Sequence, residues 1–325
     1  MRDFKEHLIE QHATLKDALK QLDVLAKDAI LFVIDVDGKL LGSLTDGDVR
    51  RGLLRGKGVE DIVSDYIQSS PKSVLKENYS LSEIIDLRER NFKVLPVLNH
   101  QGQVINIINF RFQKSYLPVD ALIMAGGKGS RLKPLTDAVP KPLLKVGHKA
   151  IIDHNIDRLC SFGVDDFHIS VNYLGDQIEK HYKKRNIKGA KVNYVWETEP
   201  LGTLGAAGLI DDFHHDYILI TNSDILTTLD YEDFFLDFLE READMSVATI
   251  PYQVDVPYAV METTNNHVIS FKEKPTYTYY SNGGIYIVKR TLLANVPKNE
   301  FYNATDLMQE LMAKGGKLIS YPIRQ

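Results

Sequence analysis

The stretch "LIMAGGKGSRLKPLTDAVPKPLLKV", Leu122 to Val146, sets three glycines, an arginine and several lysines directly behind an apolar run. The run reads as a buried strand. Gly126, Gly127 and Gly129 let backbone N–H groups approach a ligand closely. Spacing excludes two other phosphate loops. A P-loop needs Gly-Lys-Ser/Thr, and here Gly127-Lys128 is followed by Gly129. A dinucleotide fingerprint needs a third glycine three residues after the second, where Leu132 stands after Gly129. An ordinary strand-to-helix turn has no use for Arg131, or for Lys141 fixed between Pro140 and Pro142. The stretch reads as a local cationic cradle in a chain whose net charge is -5.

Downstream, strand and helix patterns alternate from Val119. "VDALIMAGG", "DFHISVNYL", "KVNYVWE", "YILITNSD" and "DMSVATIPY" read as strands. "AIIDHNIDRLCSFG", "GDQIEKHYKKRN" and "YEDFFLDFLEREA" read as helices between them. The alternation predicts an α/β, Rossmann-like domain with a mostly parallel sheet and helices on both faces. Ligands in such sheets sit beyond the carboxyl ends of the strands. "AGGKGSR", "ETEPLGT" and "NSD" each end a predicted strand, so three polar clusters converge on one edge.

Upstream, residues 1 to about 112 hold an internal repeat. "AILFVIDVDGKLLGSLTDGD" (29–48) is echoed by "KVLPVLNHQGQVINIINFRF" (93–112), with Gly38 and Gly102 set 64 positions apart. Each copy reads helix, strand, glycine turn, strand, helix, a smaller α+β module. Thr14 and Ser80 are the expected helix N-caps. "FRFQKSYLPVD" (110–120) is the expected linker, giving units of 1–114 and 119–325. The repeat resembles a tandem pair of cystathionine-β-synthase-type (CBS) domains. That resemblance implies a site for AMP, ADP or ATP at Thr45 and Asp48 of "GSLTDGD". The second copy carries Asn106, Asn109 and Phe112 where the first has Gly42, Thr45 and Asp48; it has lost the carboxylate, so at most one site per chain is expected. The alternative is a platform for dimerisation only.

Bulk properties narrow the function classes. Hydrophobic residues make up 44% and charged residues 26%, a globular composition. The negative charge argues against broad nucleic-acid binding. The charged N-terminus is no signal peptide and no apolar run reaches the roughly 18 residues of a membrane span, so a cytoplasmic protein is expected. Cys160, the single cysteine, reads as a buried structural thiol. The histidines suggest no metal site, and His214-His215 reads as a solvated loop.

The string from Leu122 resembles the signature of the sugar-1-phosphate nucleotidyltransferases, and the resemblance extends over 119–325. It implies a nucleoside triphosphate and a sugar 1-phosphate as substrates. Their mutual repulsion explains the positive charge, because such transfers depend on positioning and charge stabilisation. Arg131 would hold the departing phosphates and Lys141 would bridge the α-phosphate and the sugar phosphate. Asp224 of "ITNSDIL" corresponds to a Mg²⁺ ligand. In "ETEPLGTLGA", Glu197 aligns with the position that reads the base edge, which favours GTP, and Gly202 would allow close approach. Glu273 and Lys274 of "FKEKP" would contact the sugar and its phosphate, and Asn282 and Gly283 of "SNGGIYIV" would face the sugar. Ala259 stands where the family has glycine, which bears on sugar choice. The family pattern continues past Gln325 into an element whose aspartate is a second metal ligand; Asp306 reads as structural instead. The arrangement of a CBS pair before this transferase is similar to the glucosamine-1-phosphate guanylyltransferases of legionaminic acid synthesis. Mannose or heptose 1-phosphate is the next reading, and a non-catalytic nucleotide sensor the alternative of another class. A homodimer is implied by the CBS resemblance.

Overall fold

The computed structural model describes residues 3–185, 187 and 189–323. The N-terminal part runs β1 (Leu8–Glu10), α1 (Leu15–Leu25), β2 (Ile30–Ile34), β3 (Leu40–Thr45), α2 (Asp46–Leu54) and β4 (Gln68–Ser69). It continues with β5 (Val74–Leu75), α3 (Leu81–Glu89), β6 (Val94–Leu98) and β7 (Val104–Asn109). Thr14 and Ser80 cap as expected, each hydroxyl accepting an amide three residues on at 3.2 Å. The duplication extends to strand register. Ile30 faces Thr45 as Val94 faces Asn109, and bulges fall at Val33/Ile34 and at Val97/Leu98. The hairpin tips exchange reciprocal bonds, Leu40 N to Gly102 O and Val104 N to Gly38 O, both 3.0 Å.

The second copy departs from expectation because no helix follows β7. In the first copy the Asp48 carboxylate accepts the Thr45 amide at 2.9 Å and closes the cap of α2. Phe112 offers no such acceptor. The Gln113 side chain accepts the Asn109 amide instead, at 2.9 Å, and the chain makes a single turn, with Phe112 N and Gln113 N both bonded to Asn109 O at 2.9 Å. The expected linker is packed, with Gln113, Ser115, Tyr116 and Leu117 all buried. Lys114 N and Leu117 N bond to Ser161 O and Phe162 O at 2.6 and 3.1 Å. Ile84, Val97 and Ile108 share one apolar cluster with Tyr116, Phe162 and Phe167. Packing thus crosses the 114–119 boundary, and the two-unit division is a proposal about folding units.

The C-terminal part contains β8 (Val119–Met124), a small hairpin β9 (Lys145–Val146) and β10 (Lys149–Ala150), α4 (Ile151–Ser161), β11 (Asp166–Val171), α5 (Gly175–Arg185) and β12 (Lys191–Trp196). Then come β13 (Tyr217–Asn222), α6 (Tyr231–Glu240), β14 (Met245–Asp255), β15 (Val260–Thr264), β16 (His267–Lys272), β17 (Thr276–Lys289), α7 (Arg290–Leu293), α8 (Ala304–Ala313) and β18 (Leu318–Pro322). Seven strands form one sheet in the order β12-β11-β8-β13-β17-β14-β18. The four from β12 to β13 are parallel, and β17 is antiparallel to both its neighbours. Alternation along the strands separates two cores. Ala121, Ile123 and Leu219 pack with α4, α5 and α6 on one face; Leu122, Ile218 and Ile220 pack with α8 on the other. Helices therefore cover both faces, as the sequence pattern predicts. The far ends of β14 and β17 leave the sheet as an exposed arm that carries the β15–β16 hairpin. Among the described residues no helix is long and apolar enough to cross a membrane.

Candidate nucleotide site

Crossovers from β8 run to β11 on one side, and β13 lies on the other. That change of direction opens a crevice beyond the strand ends. A cavity of about 350 Å³ lies there, lined among others by Gly126, Gly127 and Gly129 after β8 and by Asp224 after β13. Lys141, Glu197 and Gly202 line the same cavity, so seven of the expected residues are brought together. Arg131, Glu273, Lys274, Asn282 and Gly283 do not line it. Arg131 is exposed on a short 3₁₀ turn, Ser130–Leu132, next to the glycine loop. Glu273 and Lys274 are exposed in the turn between β16 and β17.

Local chemistry explains the cradle's shape. Gly129 has φ +61°, and a Cβ there would meet Thr136 Cγ2 at 2.9 Å and Lys141 Cβ at 3.0 Å. The loop thus folds directly onto Lys141, whose 3₁₀ turn follows Pro140. The Lys141 ammonium forms an ion pair with the Asp224 carboxylate, each side chain about a third exposed. Ser223, beside Asp224, is pinned from two directions: its amide bonds to Met124 O at 3.1 Å, and its carbonyl accepts from Asn155 Nδ2 at 2.9 Å.

Four expected ligand residues make contacts within the fold. Glu197 aligns in the sequence with the position that reads the base; in the fold it is 7% exposed. Its carboxylate accepts from Ser170 Oγ and from Leu201 N, the latter at 3.1 Å, leaving each oxygen a second lone-pair direction. At Gly202, φ is +83° and a Cβ would sit 2.7 Å from Tyr302 O. The close approach there is made by the protein's own chain. Gly283 is similar, since its Cβ would meet Ala248 O at 2.6 Å. Asn282 spends its Oδ1 on the Gly284 amide at 2.9 Å.

Residues 120–324 match the family described as nucleotidyl transferase. The chain belongs to that family. Residues 5–55, which hold the first copy of the repeat, match the CBS domain. The mannose-1-phosphate guanylyltransferase catalytic subunit beta of Dictyostelium discoideum is 33% identical over 185 residues, 54% of this chain and 51% of that protein. The D-glycero-alpha-D-manno-heptose 1-phosphate guanylyltransferase of Aneurinibacillus thermoaerophilus is 30% identical over 176 residues, 54% of this chain and 76% of that protein. The chain thus spans about half the length of the mannose-1-phosphate enzymes it matches. Among solved structures, HddC from Yersinia pseudotuberculosis complexed with GMP-PN is 26% identical, with a TM-score of 0.48 over 63% of this chain and 90% of that chain.

In this nucleotidyltransferase the expected adenosine site is also committed to the fold. Asp48 is buried; it accepts the Thr45 hydroxyl at 2.6 Å and pairs with Arg51. In the second copy Asn106, at the position of Gly42 in the first, has become a contact with the transferase part, donating to Asp165 and Gly189 O at 3.0 Å. Asp306 is structural as expected, its carboxylate accepting the Asn303 amide at 2.8 Å.

His215 corrects another expectation. It is buried against Asp120, with its amide 3.1 Å from Oδ2 and its ring 3.3 Å from Oδ1. Asp120, Asp166 and His215 have potential ligand atoms within 4.8 Å of one another. This group sits at the start of β8, about 20 Å of strand from the glycine loop. Lys76 of the repeat enters it, 2.8 Å from Asp166 and 3.0 Å from Asp165, and supplies the positive charge. Burial alone would raise the Asp166 carboxyl; the Lys76 ammonium outweighs it and holds the group below the usual range.

Sequence reasoning passed over Ser170, Asn155, Thr203, Phe301 and Asn303. Their role depends on partners far along the chain. Only the position of Thr203, inside "ETEPLGTLGA", gave a signal.

Proposed function

We propose that this nucleotidyltransferase joins the α-phosphate of a nucleoside triphosphate, GTP by preference, to a sugar 1-phosphate. A sugar phosphate oxygen forms the new bond to the α-phosphorus. The bond from that phosphorus to the α,β-bridging oxygen breaks, and pyrophosphate leaves with the electron pair. The observation that carries this reading is the meeting of the Gly126–Gly129 loop, Lys141 and Asp224 on one cavity at the switch point. Lys141 would draw the two anions together, lowering a repulsion that is large in a poorly screened pocket. Arg131, beside the loop, would hold the β- and γ-phosphates. Glu273, Lys274, Asn282 and Gly283 would serve the sugar phosphate from the arm and its root, which requires the arm to close on the cavity. Glu197 would brace the loop and offer the base its remaining lone pairs.

Asp224 fits Mg²⁺, since it is a cavity-lining carboxylate that already holds a cation, the Lys141 ammonium. Bound there, Mg²⁺ would supply charge neutralisation for the triphosphate. A cytoplasmic homodimer belongs to the same reading and is checked by light scattering.

For the sugar, the arrangement of repeat and transferase supports glucosamine 1-phosphate. The names of the relatives favour mannose or heptose 1-phosphate. The test is pyrophosphate release with GTP, UTP, dTTP and CTP against glucosamine, N-acetylglucosamine, mannose, heptose and glucose 1-phosphates. Turnover with GTP and one sugar is expected; silence across the panel would sink the reading. Loss of pyrophosphate release in Arg131→Ala and Lys141→Ala separates an enzyme from a nucleotide sensor, which has none to lose. Regulation by AMP, ADP or ATP at Thr45 and Asp48 is part of the proposal, supported by the CBS match. Adenylates should raise the melting temperature of wild type and not of Asp48→Ala. No rise with any adenylate would leave the repeat as scaffold.

A further inference from the structure

Phe301 lines the lip of the nucleotide cavity and is 66% exposed. Single exposed apolar residues are common and need no explanation. Phe301 differs in how its backbone is held. Tyr302 N bonds to Leu201 O at 2.9 Å, and Tyr302 O accepts from Leu204 N and Gly205 N, both at 3.0 Å. Asn303 Oδ1 accepts from Thr203 N at 3.2 Å. A Cβ on Gly205 would stand 2.7 Å from Glu300 O, so the two segments are in backbone contact. The buried Tyr302 and the start of α8 follow at once. The segment that carries the phenyl ring is therefore fixed to one wall of the cavity.

That wall is short of free polar groups. Pro200, Leu201 and Phe301 are apolar. The Thr203 hydroxyl donates to Asn303 at 3.3 Å and accepts from Ala304 N at 3.0 Å. Charge on the same cavity comes from Lys141, Asp224 and Glu197, and the Glu197 carboxylate is already bonded to Ser170 and Leu201 N. A sugar set against this wall would leave hydroxyls without partners, which costs free energy. A nucleobase needs nothing from its flat face except a surface to pack on.

We propose that Phe301 contacts the substrate and packs on the flat face of the nucleobase, acting as a binding residue for the nucleotide. The inference rests on the nucleotidyl-transfer reading above. Alanine replacement of a ring stacked on a base weakens binding about 5- to 150-fold. In the full chain, Phe301→Ala should weaken GTP binding by calorimetry, and raise the KM for GTP, within that range. The KM for the sugar phosphate should stay within about twofold, and Phe301→Trp should restore GTP binding. Phe301→Leu keeps apolar area without the ring and should fall between, which covers misfolding of the alanine variant. A shift in the sugar phosphate KM alone, or no shift in either, overturns the inference while wild-type turnover leaves the parent reading standing. If wild type binds GTP but releases no pyrophosphate with any sugar, the parent reading fails, and the calorimetric comparison still decides Phe301. If wild type binds no nucleotide, both fail.

Discussion

Lys141 and Asp224 are ion-paired across the cavity, so the proposed anion clamp and the proposed metal ligand occupy each other. A divalent cation arriving at Asp224 must displace the ammonium, which frees Lys141 to turn toward phosphate. Both side chains are about a third exposed, so screening holds the pair to about 1 kcal/mol or less. Removing the lysine should therefore tighten metal binding only modestly. Lys141→Ala is expected to bind Mn²⁺ about fivefold more tightly than wild type without nucleotide, read by electron paramagnetic resonance. Asp224→Ala should lose the site. Both should lower pyrophosphate release by about 100-fold or more. Unchanged Mn²⁺ affinity in both variants would remove Asp224 from the metal.

Two glycines of the cavity serve different ends. Gly127 is exposed, and a Cβ there would have nothing within 4 Å, so the fold itself leaves room for alanine. Gly202 combines positive φ with a carbonyl 2.7 Å from the place a Cβ would take. Gly127→Ala should keep the melting temperature and weaken nucleotide binding, because only the ligand approaches there. Gly202→Ala should cost about 1–3 kcal/mol in urea unfolding. Equal nucleotide affinity in Gly127→Ala and wild type would show that phosphate does not approach that glycine.

The sheet and the convergence of the glycine loop on Asp224 were legible because alternation fixes which strand ends share an edge. The repeat was legible down to its 64-residue shift, which also sets the strand bulges. What failed was non-local. "FRFQKSYLPVD" reads as polar and proline-ended, yet Tyr116 reaches Asp165, 49 positions on, at 2.7 Å. The burial of Glu197 depends on Ser170 from β11, and that of His215 on Asp120 from β8. The missing helix after β7 was readable in principle, since Asn109 and Phe112 replace the Thr45–Asp48 cap.

Cys160 tests whether the packing of α4 is tight. The thiol is 8% exposed, and burial pushes its pKa up to about 12. The thiolate is the nucleophile, so reactivity at pH 8 should be low. A disulfide reagent should titrate no thiol on the minute scale in native protein and one per chain in guanidinium. Fast native reaction would mean that α4 opens readily.

The contact of Lys76 with Asp165 and Asp166 ties the repeat to the start of the parallel sheet, and its pH dependence is predictable. Burial lowers the affinity of Lys76 for its proton, but the two carboxylates outweigh it and raise the group above its ordinary value. A raised lysine contributes stability below about pH 10 that is lost as pH rises through its folded value. The depressed Asp166 contributes stability above about pH 4 that is lost as pH falls through its folded value. The clasp should hold between these limits. Lys76→Met leaves two buried carboxylates without their cation and should cost about 3 kcal/mol at pH 7. In that variant burial raises Asp166, so acid neutralises it and recovers stability. The difference in urea midpoint between wild type and Lys76→Met should be flat from about pH 6 to 9 and shrink below about pH 5. A difference that stays constant to pH 3 would mean that packing of the lysine stem, and not its charge, joins the two parts.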